Sequence, residues 1–225
     1  MKAKLFTAVA LMACSVLWAS KADAALISVG FQESGVNGGV ITTVAGPLSG
    51  AAGVIGLPYG TFSSNNVTGT GNPPLPNPSL LDSTSLDVST DGPGTLIVYI
   101  TSQGNIQPLG LDSFFSSFTE NVLTQGWQVT EQTFLDAGNG LFALTTALDS
   151  ASFTAIGFNT GTHVVNTGSG PFSVTEVYTV NAIGPGSADS TIHLTATAVP
   201  EPASLALFGS ALIGLGFARR RRNRA

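Results

Sequence analysis

Residues 95–101 read Thr95-Leu96-Ile97-Val98-Tyr99-Ile100-Thr101, five large apolar residues in a row between two threonines. The run is too short for a buried helix and rich in side chains that are stiff at χ1, so it reads as a strand covered on both faces. Asp91-Gly92-Pro93-Gly94 places a turn just before it. Outward from this strand, similar runs recur at 26–31, 39–44, 84–89, 114–119, 126–135, 141–146, 152–158, 172–180 and 191–199. Gly-rich signals such as Asn37-Gly38-Gly39, Ala137-Gly138-Asn139-Gly140 and Gly184-Pro185-Gly186 separate them. No window in 25–199 carries a capped helical period. About ten short strands at this spacing predict an all-β domain over 25–198, an antiparallel β-sandwich or jelly roll. Gly71–Ser79 holds four prolines and cannot be a central strand. It reads as a surface loop, or as an extended spacer between an N-terminal subregion and the main body.

Soluble domains carry about 25% charged residues, whereas this chain of 225 residues carries 9%. All eight basic residues lie at the two ends: Lys2, Lys4 and Lys21, then Arg219, Arg220, Arg221, Arg222 and Arg224. Between 25 and 199 there is no Lys or Arg against eleven acids. Holding a phosphate backbone requires basic side chains, so nucleic-acid binding is excluded for the body. A P-loop Lys, a Schiff-base Lys and an arginine clamp are missing for the same reason. Where these acids crowd, like-charge repulsion is expected to raise their pKa values.

The N-terminus has the parts of a secretory signal peptide over 1–24: Lys2 and Lys4, an apolar run from Leu5 to Trp18, and small residues Ala22 and Ala24 framing Asp23. Cleavage is expected before Ala25. As a helix, that run of about fourteen residues spans about 21 Å, short of a hydrocarbon core about 30 Å thick, so removal fits better than retention. Leu11-Met12-Ala13-Cys14 resembles a lipobox, but apolar residues continue past the cysteine. Without Cys14 the mature chain has no cysteine and so no disulfide.

At the other end, Val199-Pro200-Glu201-Pro202 leads into 203–218, which has no charge, and then into the basic end 219–225. Residues 203–218 are expected to form a short transmembrane helix with the arginines on the cytoplasmic side. Pro200, Glu201 and Pro202, the apolar stretch and Arg219, Arg220, Arg221 and Arg222 together resemble the PEP-CTERM sorting signal. The resemblance implies a chain exported through the translocon and processed by an exosortase near the tripeptide. It also implies bacteria that make exopolysaccharide, with the body anchored at the membrane first and then released or moved to the cell surface.

The search for chemistry in the body finds little. His163 and His193 are its only histidines, and no Gly-x-Ser-x-Gly elbow accompanies them. His193 shares the polar face of its strand with Thr191 and Thr195, and reads as a solvated residue. Sugar-stacking aromatics are limited to Trp127, Tyr59, Tyr99 and Tyr178, and Trp127 reads as a core anchor. Asp82, Asp87 and Asp91 are close enough in sequence to be candidate calcium ligands, although no Asp-x-Asp-x-Asp-Gly loop contains them. Asn66-Val67-Thr68 fits a glycosylation sequon but reads as a turn. No cofactor is expected. The sequence therefore points to a non-enzymatic surface or matrix protein, structural or adhesive in an exopolysaccharide or biofilm layer. The alternative is a secreted carbohydrate-binding module or carbohydrate-active enzyme. Exposed aromatics on one face would mark the module, and a pair of carboxylates in an aromatic-lined cleft the enzyme.

Overall fold

A computed structural model describes residues 24–200 and 208–210 of the chain. Twelve strands run in order: β1 (Leu26–Glu33), β2 (Thr42–Ser49), β3 (Ala51–Tyr59), β4 (Phe62–Gly71), β5 (Ser79–Thr90), β6 (Gly94–Asn105), β7 (Leu111–Leu123), β8 (Gln128–Asp136), β9 (Thr146–Phe153), β10 (Gly157–Asn166), β11 (Phe172–Ala182) and β12 (Gly186–Ala198). They form two six-stranded sheets. The first has the order β2-β1-β6-β11-β8-β9, the second β10-β7-β12-β5-β4-β3.

Strands β5 to β12 alone trace a jelly roll, with β5-β12-β7-β10 in one sheet and β6-β11-β8-β9 in the other. The first four strands widen it, β1 and β2 beyond β6, and β4 and β3 beyond β5. All pairings are antiparallel, and the strands alternate inward and outward as the pleat requires. Phe31, Ile27, Leu81, Phe114, Phe118, Trp127 and Phe172 are among the largest fully buried side chains. Trp127 is thus the core anchor that its alternation with Val129 suggests. The strand read at 95–101 is the centre of β6, with Leu96, Val98 and Ile100 at 0–1% exposure.

Several boundaries differ from expectation. Residues 141–145 are not in a strand; 137–145 form a loop that crosses the outer face of the first sheet, and β9 begins at Thr146. Asp136 explains the difference, because its carboxylate accepts from Gly140 N–H and from Thr145 Oγ1, both at 2.7 Å. The loop is fastened to the sheet through Gly104 N–H to Asn139 Oδ1 (2.7 Å), Phe142 N–H to Thr101 Oγ1 (3.2 Å) and Ser173 Oγ to the Gly140 carbonyl (2.8 Å). The apolar alternation of Leu141–Leu144 is spent on packing, with Phe142 beside Tyr99 at 5.9 Å between ring centres. The run at 152–158 is broken by a bend at 154–156. Residues 39–41 precede β2, and Asn66–Thr68 lies inside β4 rather than in a turn.

β3, β4 and most of β10 are not among the expected strands. Residues 72–78 form the β4–β5 loop, and since β1 to β4 complete both sheets, this loop separates no N-terminal subregion. The expected signal helix, including Ala22, lies outside the described residues. So do Glu201, Pro202, the basic end and, apart from 208–210, the apolar stretch. Among the described residues no helix is long and apolar enough to cross a membrane.

Candidate functional site

A belt of polar side chains crosses the interior of the sandwich. Glu120 on β7 continues the inward phase of Phe114, Ser116 and Phe118. Glu131 on β8 follows Val129, and Glu176 on β11 follows Phe172 and Val174. Their exposures are 2%, 0% and 1%. Ser190 Oγ of β12 donates to Glu120 Oε2 at 2.6 Å, and Ser83 Oγ of β5 donates across the gap to Glu176 Oε2. Ser116 and Thr133 join the two sheets at 2.7 Å. The hydroxyls do not suffice for the carboxyls. Both oxygens of Glu131, Oε1 of Glu120, Oε1 of Glu176 and the Tyr178 hydroxyl have no hydrogen-bond partner.

Burial dominates the electrostatics of this belt. Loss of solvent lifts Glu120 from its ordinary 4.5 to about 8. The Ser190 bond opposes the shift, while repulsion from Glu131 and Asp189 adds to it. Glu131 rises to about 7 through burial, and Glu176 is pushed well up, again by burial first. Crowding of the acids is therefore the secondary cause. No cation of the body compensates, since no Lys or Arg exists there. At neutral pH Glu120 is protonated, so it offers a buried donor rather than a charge.

The two outer faces differ sharply. The loop 137–145 covers the first sheet, so that Thr101, Ser173 and Thr175 lie at 0% exposure. The outer face of the second sheet is open and rich in hydroxyls. On it Phe115 of β7 is 40% exposed and Phe158 of β10 67% exposed. In the β7–β10 register Phe115 pairs with Thr162 and Phe158 with Thr119, which puts all four on this face. Four residues apart, the two rings are separated by about 13 Å along the strands and about 4.8 Å across. Ser117 and Thr160 stand opposite each other between them.

The residues singled out in the sequence occupy different surroundings. Asp82 lies on the outer face of β5 with its Oδ2 3.5 Å from His193 Nδ1. This bond raises the imidazole pKa, opposed by partial burial. Asp87 accepts from Asn65 Nδ2 at 2.9 Å, and Asp91 is exposed in the β5–β6 turn. Among the described residues no group of three or more His, Cys, Asp or Glu is arranged to hold a metal ion. His193 is half-buried on the hydroxyl-rich face and His163 is exposed on β10.

The aromatics considered for sugar stacking are all buried, Tyr59 at 8%, Tyr99 at 6%, Tyr178 at 1% and Trp127 at 1%. The exposed pair Phe115 and Phe158 is absent from the sequence reading, as is the buried Glu trio. Strand phase could have found the trio, because each Glu keeps step with large apolar residues two and four positions away.

No curated protein matches the chain in sequence. Solved structures with similar strand layouts include TmCBM61 in complex with β-1,4-galactotriose (9% identity, 59% of this chain and 82% of that one, TM-score 0.32). TmCBM27, described for specific mannan recognition, is also similar (9% identity, 75% and 89%, TM-score 0.30). So is the C-terminal CBM6 of the laminarinase LamC from Zobellia galactanivorans (18% identity, 48% and 78%, TM-score 0.24). Likeness at this level bears on neither ligand nor activity. The tail gives a specific answer: residues 198–222 match the PEP-CTERM protein-sorting motif, which begins where β12 ends and implies exosortase-dependent export, so the chain carries this sorting signal.

Proposed function

We propose that the protein is an exosortase-processed surface or matrix component whose second sheet lies against exopolysaccharide through its outer face, in a structural or adhesive role. The observation that carries this reading is the asymmetry of the two faces. One is covered by 137–145, and the other is open, dense in Ser and Thr hydroxyls, and bears Phe115 and Phe158. Hydroxyls suit the rims of sugar rings and phenyl faces suit their apolar sides. The reading includes anchorage of residues 203–218 in the membrane before processing and signal cleavage before Ala25.

The reading is of a protein that binds rather than catalyses. In support, the three adjacent glutamates are sealed between the sheets, where a polymer does not reach. The exposed phenylalanines equally favour the carbohydrate-binding module as a second reading, and the two differ in whether a defined sugar is selected.

The test is co-sedimentation of the full chain with exopolysaccharide from the producing cells. Covering a Phe side chain contributes about 1.5–3 kcal/mol, so Phe115→Ala and Phe158→Ala should each weaken binding about tenfold or more. Ile183→Ala, in the β11–β12 connection, should not. Equal binding by all three variants would remove the face from consideration.

A further inference from the structure

The end of the sandwich from which the chain runs on into the sorting motif has loops built without charge. The loops 72–78, 106–110 and 167–171 lie at this end, and none contains an acid or a base. Backbone hydrogen bonds tie them and both ends of the body together. Ala25 N–H donates to the Asn72 carbonyl at 3.3 Å, Ala196 N–H to that of Pro78 at 3.0 Å, Gly110 N–H to that of Gly168 at 3.1 Å and Val199 N–H to that of Leu111 at 2.9 Å. Leu26, Leu48, Ile106, Leu109 and Leu111 project there, each between 37% and 53% exposed. The acids nearest this end are withdrawn: Asp112 is fully buried and bonded to Thr167, and Asp136 is turned into its loop.

We infer that this end seats on the lipid headgroup surface of the membrane while the tail is attached. The inference rests on the reading of 203–218 as membrane-inserted. The length of the connection argues for it. Only residues 199–202 separate β12 from the apolar stretch, and four extended residues reach at most about 14 Å. The headgroup layer takes up about 5–8 Å of that distance. Pro200 and Pro202 have fixed φ and allow little folding back, so the connection cannot hold the domain far from the bilayer.

Charge gives the same orientation. An acidic body meeting anionic headgroups is repelled least where it presents few free carboxylates, and at this end Asp112 is buried and Asp136 is engaged by Gly140 and Thr145. The opposite end also exposes Ile156, Ile183 and Val40, but Asp91 stands there and neither end of the described body leaves from it. Leucines and prolines without charge suit the boundary between headgroups and acyl chains.

The test uses the full chain in vesicles of phosphatidylethanolamine and phosphatidylglycerol. In a Cys14→Ser background, which leaves no cysteine, single labels are placed through Leu109→Cys, Ile183→Cys and Leu212→Cys. A lipid-borne quencher should quench the Leu212 and Leu109 labels several-fold more than the Ile183 label. Quenching at Leu212 with Leu109 no more quenched than Ile183 would overturn the docking and leave the tail reading intact. Absence of quenching at Leu212 would overturn the tail reading, and the docking with it.

Discussion

Glu131 stands directly across from Tyr178 in the β8–β11 register, and neither the carboxyl oxygens of one nor the hydroxyl of the other has a hydrogen-bond partner. Both side chains point between the sheets at 0% and 1% exposure. A charge at Glu131 would be an uncompensated buried charge, so the fold favours the protonated carboxyl.

The first prediction follows from that pair. Around neutral pH the folded chain holds protons on Glu131 and Glu120 that the unfolded chain has released. Stability therefore falls as pH rises from 4.5 through about 7 and about 8. Glu131 alone contributes on the order of 3 kcal/mol over its window. The domain should melt at a higher temperature at pH 5 than at pH 8. Glu131→Gln should close part of the gap by raising the pH 8 value. Melting temperatures equal at both pH values would show that water or a bound cation reaches the belt.

Asp136 has the opposite sign. Its bonds to Thr145 and Gly140 hold its pKa below the ordinary 3.8. Its stabilisation is present above that value and lost as pH falls through the lowered one. Asp136→Ala should free the loop 137–145, read as faster amide hydrogen exchange at Asn139–Leu144 while β6 stays protected. Unchanged exchange in the loop would mean that its attachments to the sheet suffice without this carboxylate.

Gly60 turns β3 into β4 at φ +61°, and a β carbon there would run into the Glu33 carboxylate. That carboxylate accepts from Thr61 N–H at 3.1 Å and Thr61 Oγ1 at 2.6 Å. Gly56 has φ +64° but open space around it. Both Gly→Ala variants bear the left-handed penalty of about 1–2 kcal/mol, and only Gly60→Ala also disturbs Glu33. The urea midpoint should drop further for Gly60→Ala than for Gly56→Ala, and equal drops would discount the Glu33 contact.

Calcium should have no special effect. Asp82, Asp87 and Asp91 are directed to His193, to Asn65 and to a turn, so calcium and magnesium at equal ionic strength should raise the melting temperature alike. A large calcium-specific rise would place a site that this arrangement does not gather.

How much of the molecule could be read in advance follows strand chemistry. β6 is plain because five consecutive large apolar residues admit one reading, and β11 and β12 are nearly as clear. β4 is hidden because 62–71 is made largely of Gly, Ser, Thr and Asn, residues that also spell turns, and β3 because Gly53, Gly56 and Pro58 interrupt its apolar run. Of the apolar residues of the two strands only Ala52, Tyr59, Phe62 and Val67 are buried. Leu141–Thr146 misleads in the other direction, since an apolar alternation serves a loop lying on a sheet as well as a strand within one. The open face was half legible. The shared polar face of Thr191, His193 and Thr195 is plain from their alternation, whereas Phe115 and Phe158 look like core residues until the register turns them outward.

β12 lies between β7 and β5 at the middle of its sheet, while β1 pairs with β6 some seventy residues later in the chain. The second sheet cannot be completed from a leading fragment. A chain threaded through a translocon from its N-terminus would present β1 to β11 as an unfinished sandwich, with the gap between β7 and β5 unfilled. The topology thus delays closure of the second sheet until 186–198 is available, immediately ahead of the sorting motif.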